Sequence, residues 1–253
     1  MKFFSNNYFE DTGVLTVSTG DATKASMYDR NTTSQWASVG SNDAIVETVF
    51  MFWSAFKTFD YICLRNINLA GYAIYYLDPG TGVWTDFVPA INVAGNTDAS
   101  VIHNFTAITT REVLLLSLNT FPANDEKRIG EFMTYLEKMD LPDEWLPETH
   151  KPIMYTKKTE HEKTTGGNLI IIENMLPKYQ NEWEFSILKE SLVNDFYDMY
   201  LEHQTNWVLP DEDELINQYF VNWTNDFDFK KNTAWDPVTG ERGYEGSITV
   251  KEV

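Results

Sequence analysis

Between residues 44 and 118 the sequence is cut into short apolar runs, each closed by Gly, Pro, Asn or Thr and none carrying a helical period. The runs are 44–53 (AIVETVFMFW), 58–66 (TFDYICLRN), 71–77 (GYAIYYL), 83–88, 100–107 and 112–118 (EVLLLSL). A further run, 14–19 (VLTVST), precedes them and ends at Gly20. The strongest turn is Asp78-Pro79-Gly80-Thr81-Gly82, because proline presets one backbone angle and glycine accepts the left-handed one. Turns recurring every 8 to 14 residues or so predict an antiparallel sandwich or barrel. Residues 26–43 (SMYDRNTTSQWASVGSND) interrupt the series. Their Asn, Asp, Ser and Thr side chains bond nearby backbone and favour turns, so a long ordered loop anchored by Trp36 is expected there.

Residues 124–139 admit two readings. Ile129, Phe132, Met133, Leu136 and Met139 stand at helical spacing, whereas Gly130 and the short length also suit a strand. Three prolines in 141–152 (LPDEWLPETHKP) remove ladder donors, and a stiff joint between two domains is placed there. Beyond it the pattern changes. Strands are expected at 154–163, 169–173, 182–188, 218–223, 226–229 and 247–253, with a turn at Thr165-Gly166-Gly167-Asn168. Residues 189–204 carry the clearest helical pattern, with Leu192, Val193, Phe196, Met199, Tyr200 and His203 on one face. The result is a mainly β chain: a β-sandwich over 1–140, the joint, and a smaller α+β domain over 153–253.

Composition narrows the function. Hydrophobic residues make up 43% and aromatics 15%, enough to build packed cores without cross-links. The formal net charge is −19, a field that repels phosphate backbones, so sequence-specific nucleic-acid binding is not expected. No apolar stretch approaches the ~20 residues of a membrane span. The amino terminus (MKFFSNNYFE) shows no secretory pattern, and Cys63 alone cannot form an internal disulfide.

Signals of catalysis are missing. His161-Glu162 has Thr165 where a metalloprotease needs its second histidine, and His103, His150, His161 and His203 are scattered. Asp211, Glu212, Asp213 and Glu214 lack the spacing of a calcium loop and read as a solvated helix start. No nucleophile elbow or phosphate-binding loop occurs, and Gly240, Gly243 and Gly246 read as turn residues. Cys63 lies between Ile62 and Leu64 as a small buried hydrophobe. The sequons at Asn31, Asn104 and Asn222 are read as chance matches. No metal and no cofactor is expected. Trp36, Trp53, Trp84 and the pair Tyr75 and Tyr76 could build a sugar platform, with core packing as the competing role for each.

Four pieces in order resemble the discoidin, or coagulation-factor 5/8 type C, family of galactose-binding-like jelly-rolls. They are Tyr28-Asp29-Arg30-Asn31 with Thr32, Thr33 and Trp36-Ala37-Ser38; Phe59-Asp60-Tyr61-Ile62-Cys63-Leu64; residues 66–76; and Gly82-Val83-Trp84. The resemblance spans about residues 10–140. It implies a jelly-roll with Trp36 in the core, Asp29 near a structural calcium where one is bound, and residues 129–136 (IGEFMTYL) as a closing strand. That last implication is taken over the helical period. Tyr28-Asp29-Arg30-Asn31 followed by residues 36–43 (WASVGSND) looks most like forms found in tail-associated virion proteins of tailed bacteriophages.

The expectation that follows is a non-enzymatic virion structural protein, made in a host bacterial cytoplasm and carried in a phage tail. It would form a symmetric homo-oligomer with other tail proteins as partners, through an interface of Tyr219, Phe220, Trp223, Phe227, Phe229, Ile248 and Val250. The last seven residues (SITVKEV) are read as a strand edge open to a neighbour. The alternative is a carbohydrate-binding module for a cell-surface glycan.

Overall fold

A computed structural model describes residues 2–4, 7–10, 13–29, 33–140, 159–163, 169–173, 180–201, 206–209, 219–235 and 242–252. The chain divides into two compact units, 6–137 and 1–5 with 138–253. The first strand, β1 (Lys2–Phe4), therefore belongs with the C-terminal half, where sequence reading had set it in the N-terminal domain. The proposed joint at 141–152 and the turn at 165–168 lie outside the described residues.

The 6–137 unit is a jelly-roll β-sandwich. Its strands are β2 (Gly13–Val17), β3 (Trp36–Ala37), β4 (Glu47–Arg65), β5 (Leu69–Leu77), β6 (Trp84–Ala94), β7 (Ser100–Thr120), β8 (Arg128–Ile129) and β9 (Glu131–Tyr135). All pairings are antiparallel, in the order β2-β4-β7-β5-β6, with β9 added to β4 and β3 paired to β8. Runs 44–53 and 58–66 prove to be one strand, as do 100–107 and 112–118. The register of β4 against β7 shifts between Phe52 and Lys57, and again between Phe59 and Tyr61. The N-terminal part of β4 pairs with β2, and its C-terminal part with β9. Residues 128–135 form strands, as the family resemblance implied and the helical period did not.

Side chains at alternate positions fill the space between the layers. Val49, Met51 and Trp53 of β4 meet Leu15 and Val17 of β2, Val113 and Leu115 of β7, and Phe59, Phe87 and Phe105. Phe9 stacks on Phe132 at 4.2 Å, and Phe105 lies 4.3 Å from Phe87. Trp36 is fully buried, and its indole Nε1 donates to the Thr19 carbonyl at 3.0 Å. Gly20, at φ +70°, lets this contact form, because a Cβ there would stand 2.0 Å from the Ala37 carbonyl oxygen.

One end of the sandwich is tied by a buried cation. Lys127 Nζ donates to Ser41 Oγ at 3.0 Å and to the carbonyls of Asn42 and Ile45 at 2.7 Å each. Burial holds this ammonium below the usual lysine range, and the Glu47 and Asp43 carboxylates oppose that shift. Asp43 binds the other side of the loop by accepting from Thr120 N and Oγ1 and from Asn124 N.

The other unit is a sheet with one helix. After β10 (Glu137–Asp140) come β11 (Thr159–Lys163) and β12 (Leu169–Glu173), which pair with each other. Then follow β13 (Gln180–Leu188), α1 (Glu190–Leu201), β14 (Asn206–Leu209), β15 (Tyr219–Trp223), β16 (Lys230–Trp235) and β17 (Arg242–Glu252). The sheet runs β10-β1-β14-β15-β17-β13, with β16 also on β17. Val193, Phe196 and Met199, spaced at i, i+3 and i+6, pack with Trp183, Phe185, Leu188, Ile248 and Val250. Residues 226–229, expected as a strand, make no ladder. They carry Phe227 and Phe229 onto α1, where Phe229 stacks on Phe196 at 5.8 Å and 8°. Gly246 leaves room for the Phe229 ring, since a Cβ there would lie 2.6 Å from it.

Candidate functional site: an aromatic sheet face

The aromatics named as a possible sugar platform separate cleanly. Trp36 and Trp53 are core residues, Trp53 donating from Nε1 to the Tyr8 carbonyl at 2.7 Å. Tyr76 points inward, 5.2 Å from Phe87. Tyr75 and Trp84 take the opposite parity to the core positions of their strands, so they share the outer face of the sheet.

That face can be laid out from register, because residues directly paired across antiparallel strands lie on one side with Cβ atoms ~4.5–5.5 Å apart. One row crosses all five strands: Thr16, Phe50, Leu114, Tyr75 and Asp86. Beside it stand Val14, Phe52 and Glu112 on three strands, with Leu77 and Trp84 paired on the other two. A third row holds Thr48, Leu116, Ala73 and Asn92.

The face is apolar and open. Trp84 is 38% exposed and Val14 60%, with Phe50, Phe52, Tyr75, Leu77, Leu114 and Leu116 half-buried around them. The Trp84 ring meets Phe50 edge-on, with centroids 6.1 Å apart and planes at 80°. Two strands stand between β4 and β6, which sets their backbones about 14 Å apart, so both rings lean over β7 and β5 to touch. Among these register positions the charged groups are Asp86 and Glu112, and none is basic. Such a surface offers a ring ridge for the apolar face of a cyclic ligand, with carboxylate acceptors and the Thr16 and Asn92 side chains beside it. The signal was present in sequence: 44–53 and 112–118 are apolar at both parities, where a half-solvated strand would alternate.

Of the residues expected to form an assembly interface, five are described, and they lie in or against the C-terminal core. Ile248 and Val250 are 1% and 4% exposed inside the C-terminal core, and Trp223, Phe227 and Phe229 pack against it. Trp223 lies 6.0 Å from Phe196 and 5.5 Å from Tyr200. The side chains of Tyr219 and Phe220 lie outside the described residues, although their strand is paired on β14. The terminal segment is not an edge either, since β17 pairs with β13 on one side and with β15 at 250–252 on the other.

His103 Nε2 is hydrogen-bonded to the Tyr72 hydroxyl at 2.9 Å. Burial lowers the imidazole pKa to about 4 and pushes the phenol well above its ordinary value. Cys63 is buried. Asp29 accepts from Ser34 Oγ at 2.7 Å. Among the described residues no three His, Cys, Asp or Glu side chains converge as a metal would require, and no helix is long and apolar enough to cross a membrane. His150, His203 and residues 211–214 lie outside the described set, as does the His161 side chain.

No family model matches this chain, and no curated protein matches it. Solved structures do resemble it over about half its length. Chitosan-binding module 1 from a chitosanase/glucanase of Paenibacillus sp. IK-5 aligns at 17% identity and a TM-score of 0.44, covering 52% of this chain and 98% of that one. CpGH89CBM32-6 produced by Clostridium perfringens aligns at 19% and 0.43, covering 52% and 99%. A putative alpha-L-fucosidase from Bacteroides thetaiotaomicron aligns at 13% and 0.45, covering 52% of this chain and 29% of the enzyme.

Proposed function

We infer that the 6–137 unit is a non-catalytic glycan-binding module and that the outer face of its five-stranded sheet is the binding surface. The observation that carries this reading is Trp84, a 38% exposed indole braced edge-on by Phe50 and lying on the same face as Tyr75 and two carboxylates. Exposed rings fixed in place cost little entropy on binding, and sugars present both an apolar CH face and hydroxyl donors. The expected assembly interface over residues 219–250 is read from aromatic density and a strand-patterned end; two of its side chains lie in the C-terminal core and three pack against it. A phage tail remains a proposed setting in which such a module would meet a cell surface.

A glycan array probed with the full chain tests this, followed by titration of the best ligands against Trp84→Ala. We expect millimolar-or-better binding that the substitution removes. Absence of any hit, or hits indifferent to Trp84, would overturn the assignment.

A further inference from the structure

We propose that the sheet face selects glycans whose sugars carry protonated amino groups. The proposal rests on the glycan-binding reading above and adds the charge class of the ligand. Asp86 sits directly across from Tyr75, and Glu112 directly across from Phe52 and two positions from Leu114 on its own strand. Both carboxylates therefore border the ring ridge that a sugar would cover. None of the face's register positions, from Val14 and Thr16 on β2 to Trp84, Asp86 and Asn92 on β6, holds Lys, Arg or His. The nearest basic residue in sequence, Arg111, is engaged elsewhere, with its guanidinium 4.3 Å over the Phe56 ring.

Two anionic acceptors on an apolar floor, in a chain of net charge −19, attract an ammonium. The same groups repel a uronate or sulfate. Asp86 is exposed and Glu112 half-buried, so the effect is a preference screened by salt and not an absolute gate. The rings supply the contact common to all pyranoses, and the carboxylates decide among them.

The experiment is calorimetric titration of the full chain with three oligosaccharides of equal length: a glucosamine oligomer, its fully N-acetylated form, and a uronic acid oligomer. An oligolysine of matched charge serves as a fourth probe. The glucosamine oligomer should bind roughly tenfold more tightly than the acetylated form at low salt, as charge-assisted contacts at a partly exposed site allow. The uronic acid oligomer should not bind. In Asp86→Asn/Glu112→Gln the ratio between the first two should collapse, while Asp226→Asn/Asp228→Asn, which removes two charges from the other unit, should keep it.

Equal affinity for the free and acetylated oligomers overturns the charge preference and leaves the glycan reading standing. Failure of both to bind overturns both. A ratio that falls equally in the two double variants, or oligolysine binding as tightly as the glucosamine oligomer, shows a general attraction of cations and overturns the proposal.

Discussion

Two groups of aromatic rings in this protein are alike in composition and opposite in use. In the C-terminal unit Trp223, Phe227 and Phe229 follow one another within seven positions, and α1 covers them with Phe196 and Tyr200. In the sandwich Phe50, Tyr75 and Trp84 come from three separate strands, and no described element of their own unit lies over them. The first group reads from sequence as an exposed sticky patch and is a core. The second is scattered through apolar runs that read as core and is a surface. Ring density along the chain measures neither; the presence or absence of a covering element does.

The comparison is most easily broken by removing rings on each side of it. Trp36→Ala in the sandwich core and Phe196→Ala under α1 should each cost ~3–5 kcal/mol, the range for large aromatic truncations at buried sites. Thermal unfolding of the full chain reads both. An unchanged melting temperature in Phe196→Ala would mean that Phe229 and Trp223 do not depend on the helix for cover.

A smaller effect comes from the buried pair Tyr72 and His103. Folding holds the imidazole neutral down to about pH 4, against an unfolded value of 6.5, so the unfolded chain binds the extra proton between those limits. The His103 contribution is complete above pH 6.5 and falls as pH drops towards 4, by on the order of 3 kcal/mol. Below that window Asp43 adds its own loss, because its lowered pKa stabilises the fold only while it is ionised. His103→Gln should flatten the slope between pH 6.5 and 4, and a slope that persists assigns it to other groups.

The smallest stability effect is expected at the open face. Trp84→Ala should cost ~1–2 kcal/mol, less than the core truncations, because over a third of the residue already meets water. A loss comparable to Trp36→Ala would place Trp84 among the core residues and erase the distinction between the two ring groups.

How far sequence carried the reading depends on which residues are considered. Strand positions in the first half were legible because Gly and Pro punctuate them. That pairs of runs are single strands of 19 and 21 residues was not, because the polar Lys57 and Thr58 and their partners Thr110 and Thr109 resemble loop yet pair in the ladder, next to an irregularity between Phe52 and Lys57. The family pattern settled residues 129–136, where local period pointed the wrong way. Residues 226–229 show the converse failure: alternation of Asp and Phe satisfies the strand pattern, yet the rings are held by helix contacts and not by a ladder. β16, with Lys230, Lys231 and Asn232, has no β signature, and its pairing to β17 supplies what composition does not. The sheet face was legible only as an excess: strands 44–53 and 112–118 are more apolar than one buried side requires.

Lys127 gives the loop end of the sandwich an internal clock. Its amine is completely buried and holds three acceptors, so an acylating reagent reaches it only when the segments around Ser41 and Ile45 separate. Once uncovered, the amine loses the desolvation that lowers its pKa in the closed loop and reacts as an ordinary surface lysine. The rate at which Lys127 is modified in the native protein therefore reports on opening of the loop, recorded covalently by a side chain that, with Asp43, keeps the loop shut.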